Sequence, residues 1–348
     1  MVKKLVSVWL SLTILIFSSF SIYAYADSGV VQGDYFLKDI VINGENIVNY
    51  KLSDPIVNYN SRIYIPMDET MGQILGVSAA MDTESRTVYI TKTAPQAVDL
   101  GSRSIANDLD NLTMTVDSSA KICVVSNENN GQQVTELDLS GCPVLVKDSI
   151  VYVPINAIVS SGALGWSVHW DGYSGVAIST QSEISAASYF DAADSAYKAG
   201  LTAYIMKKNP KVGRSKAQAM MEYFVNYSEM YGIDEELMMA MAECESTFTT
   251  NIKNSHGCYG ILQIKPSTGK LFGAASASQL LQMKPAIRTG VRLMDHNLKT
   301  FGGNVTKAVT AYNYGEYAVK KGRYSLGYYK KVAKKMNNII SYASSYSL

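Results

Sequence analysis

The stretch Ala242-Glu243-Cys244-Glu245-Ser246-Thr247-Phe248 places an acidic side chain at the end of an amphipathic helical run. Downstream, Ser255-His256-Gly257-Cys258-Tyr259-Gly260-Ile261-Leu262-Gln263-Ile264 combines glycines with an amide, and Ala308-Val309-Thr310-Ala311-Tyr312-Asn313-Tyr314-Gly315 ends on an aromatic and an amide. Leu237, Met241, Cys244 or Glu245, and Phe248 share one helical face, so Glu245 turns toward the apolar side, where desolvation raises a carboxyl pKa. A carboxyl still protonated at neutral pH is what general acid catalysis on a glycosidic oxygen requires. Glycines allow backbone and ligand to approach closely, and Gln263 offers a donor and an acceptor to a sugar amide or hydroxyl. Tyr312 could hold the carboxyl while Asn313 bonds to backbone or sugar. Each residue also has a plainer use: Glu245 as an ion-pair partner of Lys or Arg, the glycine segment as a turn and strand, Tyr312 and Asn313 in packing and capping.

The elements that must position these groups are helical. Ala217-Gln218-Ala219-Met220-Met221-Glu222-Tyr223-Phe224-Val225 carries apolar residues at three- and four-residue spacing. After Gly232 a second helix starts with Asp234 as N-cap and runs to Glu245. The Ala-Tyr-Asn triplet ends a helix that begins near Val305. Residues 181–200, rich in Ser, Ala and Asp, read as a linker or as a first helix.

Taken together, residues 201–348 resemble the soluble lytic transglycosylase domain, of goose-type lysozyme-like fold. Glu245-Ser246 stands at the family's catalytic Glu-Ser, Gly257 with Gly260-Ile261-Leu262-Gln263 at its Gly-Leu-Met-Gln segment, and Ala311-Tyr312-Asn313 at its Ala-Tyr-Asn. Tyr328 matches a later groove tyrosine. The resemblance implies Glu245 as the catalytic residue and Ser246, Gly260, Leu262, Gln263, Tyr312, Asn313 and Tyr328 as substrate-binding. Ile261 and Leu262 replace Leu and Met, which should alter the fit of a sugar face, and Cys258 stands where a small Ala or Val is usual.

Between Ser246 and Gly315 the only acidic side chain is Asp295, whereas glycoside hydrolases usually use two carboxylates. The resemblance supplies the missing nucleophile. It implies that Glu245 protonates the bond between N-acetylmuramic acid and N-acetylglucosamine, that the 2-acetamido group assists, and that Glu245 then deprotonates the muramic 6-hydroxyl to give a 1,6-anhydromuramyl end. A lysozyme-type hydrolase is the alternative and would need Asp295 or Glu316 near the bond. A non-catalytic wall-binding protein is a third reading.

At the start of the chain, Lys3 and Lys4 precede an apolar run from Leu5 to about Phe20, followed by Ala24-Tyr25-Ala26. That order reads as a cleaved secretory signal over residues 1–26, too short and serine-broken for a permanent span. The expectation is a secreted or wall-associated protein with no stable membrane span. The rest exceeds one comfortable core. Residues 27 to 195 hold 8 Lys/Arg and 21 Asp/Glu, and residues 196 to 348 hold 21 and 9, so the near-neutral total hides halves of −13 and +12. A basic half favours an anionic polymer, and export favours one of the envelope over nucleic acid, for which no groove-reading motif is present.

Residues 27–180 read as β-rich, and part of the order repeats. Ile63-Tyr64-Ile65-Pro66, Leu75-Gly76-Val77, Met81-Asp82 and Val88-Tyr89-Ile90 are answered by Val151-Tyr152-Val153-Pro154, Leu164-Gly165-Trp166, Trp170-Asp171 and Val176-Ala177-Ile178. This half resembles the copper amine oxidase N-terminal-like domain, a two-lobed α+β module. The resemblance implies an accessory role, binding a wall polymer or protein partner, and not copper, since His169, His256 and His296 are scattered. Trp166 and Trp170 read as core. The expected whole is therefore multidomain α+β, a two-lobed β-rich module followed by a mainly helical lysozyme-like domain, with no metal or organic cofactor. Cys123, Cys142, Cys244 and Cys258 fall two to each half; pairing 123 with 142 and 244 with 258 is the simplest of three connectivities, and unpaired thiols are the alternative. The resemblance makes a Cys244–Cys258 bridge a hypothesis for tying the helix to the glycine segment.

Overall fold

The computed structural model describes residues 29–347 except 108, 110, 111, 129 and 130; the expected signal segment, residues 1–26, lies outside the described residues. The chain opens with strands β1 (Val30–Gln32), β2 (Asp34–Tyr35), β3 (Asp39–Ile42), β4 (Glu45–Asn46), β5 (Val57–Tyr59) and β6 (Arg62–Pro66). Helix α1 (Glu69–Leu75) and strands β7 (Val77–Asp82) and β8 (Thr87–Lys92) follow. Then come β9 (Thr113–Asp117), β10 (Lys121–Glu128), β11 (Gly131–Glu136), β12 (Val144–Lys147), β13 (Ile150–Pro154), α2 (Ile155–Ser161), β14 (Ser167–Trp170) and β15 (Gly175–Ser179).

These strands are a full duplication, longer than the repeat visible in the sequence. The run β2 to β8 has the same order as β9 to β15: a strand, a hairpin, a second hairpin, a helix, a third hairpin. Both units feed one seven-stranded sheet, β1-β9-β12-β13-β6-β5-β2, in which β6 and β13 pair antiparallel across the centre. The remaining hairpins are exchanged. The β7–β8 hairpin of the first unit joins β10–β11 of the second, through parallel β8 and β10, and β14–β15 joins β3–β4 through parallel β15 and β3. Each lobe thus contains strands of both units, and neither unit can complete a sheet alone. Asp68 caps α1 by accepting from Met71 N, and left-handed Gly76 and Gly162 end the two helices; the second stop is Gly162, three residues before the Gly165 of the sequence alignment.

Alternation along the central sheet divides two cores. Ile65, Val144, Val146 and Val153 face one way, into a core shared with α1, α2 and the small sheets. Tyr64, Leu145 and Tyr152 face the other way, into a core that continues through the helical half. That half comprises α3 (Ala192–Lys208), α4 (Arg214–Met230), α5 (Glu235–Ser246), α6 (Pro266–Leu271), α7 (Ala277–Leu280), α8 (Met283–Thr300), α9 (Val305–Tyr314), α10 (Glu316–Lys320) and α11 (Gly327–Ser344). The architecture is mixed α+β, β-rich first and helical second.

No free linker separates the halves. Residues 192–200 belong to α3, whose Leu201, Tyr204 and Ile205 are buried. Ser195 donates to Asp171 Oδ1 at 2.6 Å, and Lys198 pairs with Asp39 of β3 and with Asp194 at 3.0 Å. Asn226 bonds to the Leu37 carbonyl, Arg214 to the Tyr173 hydroxyl at 2.9 Å, and Lys38 pairs with Glu222 at 3.0 Å. Trp166 is core, but Trp170 is 49% exposed, with Phe36 beside it and Lys38 over its ring.

The expected disulfides are not formed: Cys123, Cys142, Cys244 and Cys258 are all free. Cys123 lies on β10 opposite Glu136 and Tyr89, whereas Cys142 accepts from Asn156 Nδ2. Cys244 is surrounded by charges from Lys335, Lys331 and Glu243, whereas Cys258 lies in a turn, its N–H bonded to Asn254 Oδ1. Among the described residues no His/Cys/Asp/Glu group could hold a metal ion, and no helix is long and apolar enough to cross a membrane.

Candidate active site

Helix α5 is apolar almost all round, with Leu237 through Ala242 buried without a break, so any carboxyl in its last turns is withdrawn from water. Two such carboxyls, two residues apart, receive opposite treatment. Glu243 is saturated: the Tyr204 hydroxyl donates to Oε2 at 2.9 Å, and Lys335 and Lys208 reach Oε1 at 2.6 and 3.3 Å. It fastens α5 to α3 and α11, and sequence reasoning missed it. Among the described residues Glu245 receives one hydrogen bond, from the Tyr328 hydroxyl to Oε1 at 2.6 Å. Burial pushes its carboxyl up, while the Tyr328 bond and the Lys331 ammonium pull in the other direction without cancelling it.

Asp234 occupies the N-cap position of α5, although its side chain makes no capping bond. After Ser246 the chain turns sharply through Thr247 and Phe248, both left-handed at φ 50° and 58°. A bulky residue is seldom found there, and Phe248 is held by complete burial. Ser246 closes this turn: its hydroxyl donates to the Ile261 carbonyl at 2.7 Å and accepts from Thr249 N at 3.1 Å. That hydroxyl is therefore directed inward and joins α5 to the glycine segment.

The glycine segment is a series of turns held by two isolated bridges around Tyr259, not a strand. Gly260, at φ 75°, is required by protein rather than ligand, because a Cβ there would lie 1.7 Å from the Leu280 carbonyl oxygen. Leu262 and Ile261 are fully buried, and Leu262 packs against the space left by Gly290. Neither can present a face to a sugar, which corrects the reading of Leu262 as a contact and of both replacements as changes in sugar fit. The Leu262 backbone matters instead, since its carbonyl accepts the Tyr312 hydroxyl at 2.9 Å. Gln263 is half-buried at φ 47° and directs its amide N–H to the Gly260 carbonyl at 2.8 Å, and its side-chain oxygen has no hydrogen-bond partner among the described residues.

Of the two tyrosines, Tyr328 holds Glu245; Tyr312, expected in that role, is turned to Leu262. Both phenols are pushed well up by burial, and in each the Glu245 charge is the next cause, which puts both beside the carboxyl. Asn313 follows on the exposed end of α9 with no partner among the described residues. The carboxylates a hydrolase would need are engaged elsewhere: Asp295 with Lys299 at 2.7 Å, and Glu316 with Lys320 and with His296 at 3.1 Å. The two bonds hold the Glu316 carboxyl below its usual range. Among the described residues no carboxylate is one of the groups that shift Glu245.

A helical domain with one poised carboxyl beside two half-buried tyrosines is the class of site defined here. Residues 222–336 match the family described as the Transglycosylase SLT domain. The transglycosylase of Enterobacteria phage PRD1 is 29% identical over 110 residues, covering 32% of this chain and 40% of the phage protein. An inactive mutant of the lytic transglycosylase Slt of Pseudomonas aeruginosa is similar at 21% identity, over 46% of this chain and 30% of that one, with a TM-score of 0.29. The 70 kDa soluble lytic transglycosylase of Escherichia coli is similar at 20% identity over 44% and 28%, with a TM-score of 0.30. The chain thus matches less than half the length of each of these relatives.

Proposed function

We propose that this chain is an exported peptidoglycan lytic transglycosylase in which Glu245 is the sole acid and base. The observation that carries this reading is the state of Glu245: desolvated, raised in pKa and, among the described residues, held by Tyr328 alone with no second carboxylate acting on it. The SLT domain match over the same helices supports it. Glu245 gives its proton to the glycosidic oxygen as the bond from muramic C1 to that oxygen breaks, and the 2-acetamido oxygen bonds to C1. The Glu245 carboxylate then takes the 6-hydroxyl proton, O6 bonds to C1 and displaces the acetamido oxygen. The proton account closes on Glu245 and no water is consumed.

The β-rich half is an accessory of copper amine oxidase N-terminal-like type, fixed on α3 and α4 by the shared core rather than tethered. The test compares solubilisation of purified peptidoglycan by the intact protein and by Glu245→Gln. General acid–base catalysis contributes about 10²–10⁴ per transfer, so the variant should lose nearly all turnover while still sedimenting with the polymer. Retained turnover would refute the assignment.

A further inference from the structure

Helices α3 and α11 lie side by side, and at the C-terminal end of α3 they leave an open cleft of about 410 Å³. Its walls are Tyr204, Lys207 and Lys208 from α3 and Asn338, Ser341 and Tyr342 from α11. No carboxylate lines it. The Lys207 ammonium sits 4.4 Å from the Tyr342 ring centre and has no carboxylate partner among the described residues. Lys208 lies 5.1 Å from the Tyr204 ring centre and is shared with Glu243 beneath the floor. Exposed Lys334 stands one turn before Asn338 on α11, so Lys334, Asn338 and Ser341 follow one another along the same face.

We propose that this cleft binds a phosphodiester polymer of the envelope, a polyol phosphate chain, and so holds the helical half on its substrate layer. The cleft presents cations and neutral donors together: ammonium groups for the phosphate, and the Asn338 amide and Ser341 hydroxyl for the polyol. Phosphate is favoured over carboxylate because the cations are lysines. An ammonium is a point charge that meets a tetrahedral anion from any side, whereas planar carboxylate recognition is served by the arginine fork, which is absent from the cleft. The Tyr342 ring holds Lys207 in position without neutralising it. The cleft is open, as a long chain requires, and it belongs to the half in which Lys and Arg outnumber Asp and Glu by 21 to 9. The envelope location rests on the function proposed above, whereas the binding itself is tested without turnover at Glu245.

The experiment titrates the full chain with poly(glycerol phosphate), inorganic phosphate, poly-glutamate and single-stranded DNA by calorimetry, beside a Lys207→Gln/Lys334→Gln variant. Both lysines are exposed, so the variant should keep the parent melting temperature. The expected result is saturable binding of the polyol phosphate, weakened about tenfold in the variant as charge-assisted contacts are lost, and weakened by salt. Inorganic phosphate should compete at higher concentration. Absence of saturable binding of the polyol phosphate, including the case in which inorganic phosphate alone binds, equal affinity in the variant, or equal affinity for poly-glutamate or DNA would each overturn the proposal.

Discussion

Tyr328 donates its hydroxyl to Glu245 across the α11–α5 contact at 2.6 Å, and among the described residues it is the single hydrogen bond that the carboxyl receives. The bond favours the ionised form and so holds down a pKa that burial raises. Removing it in Tyr328→Phe should raise the Glu245 pKa further. Activity that needs the protonated acid is lost as pH rises through that pKa, so the alkaline limb of the rate profile should move to higher pH. The maximal rate should fall about tenfold, the scale of a hydrogen bond to a charged group. A pH–rate series on both proteins checks this; a lower rate with an unmoved limb would mean that Tyr328 only packs.

Glu243 and Glu245 should separate stability from activity. Glu243→Gln leaves Lys335 and Lys208 without their buried partner. Breaking a buried pair typically costs about 3–5 kcal/mol, and here about 2 kcal/mol is expected because both lysines are partly exposed and can rehydrate. Glu245→Gln exchanges a desolvated acid for a neutral shape-mate and should change stability by less than about 1 kcal/mol. Urea unfolding of the two variants gives the comparison.

Gly260 predicts a steric effect in the glycine segment. Its left-handed backbone and the Leu280 carbonyl 1.7 Å from a would-be Cβ leave no room for alanine. Gly260→Ala should cost about 3 kcal/mol or more and displace the Ile261 and Leu262 carbonyls that hold Ser246 and Tyr312. Gly257→Ala shares the positive φ but meets open space, so only about 1–2 kcal/mol is expected. Thermal unfolding distinguishes them.

Glu235, at the opposite end of α5 from Glu245, makes stability depend on pH. Burial first, then Glu236, raises its carboxyl from 4.5 to about 7. The folded chain therefore holds a proton that the unfolded chain has released between those values. This contribution is complete below pH 4.5 and is lost as pH climbs to about 7, by up to about 3 kcal/mol. Asp194 and Glu229 are shifted in the same direction, and Asp171, lowered to about 2 by its hydrogen bonds, in the opposite one. Glu235→Gln should flatten the dependence between pH 5 and 8 in denaturant titrations.

The carboxyl, the helix that carries it and the order of the motifs were legible because helical period and residue type fix them locally. Partners were not. Whether Tyr312 or Tyr328 meets Glu245 depends on how α9 and α11 cross α5, which no spacing within one helix encodes. Leu262 and Gly260 read as ligand contacts by motif position, yet their side-chain space is filled from α7 and α8, distant in sequence. Glu243 had a signal that went unused: in a helix buried on every side, a polar residue needs partners. Half of the β duplication was visible through Pro and Gly stops; the rest, with short β2 and β4 set against long β9 and β11, kept its topology while its sequence and strand lengths diverged.

The measurement that bears most directly on Glu245 as sole acid and base is the mass of the sugar ends released from purified peptidoglycan in ¹⁸O-water. Anhydromuramyl ends without ¹⁸O, absent with Glu245→Gln, are the predicted result. Reducing ends one water heavier and carrying ¹⁸O would contradict it and require a second group that activates water.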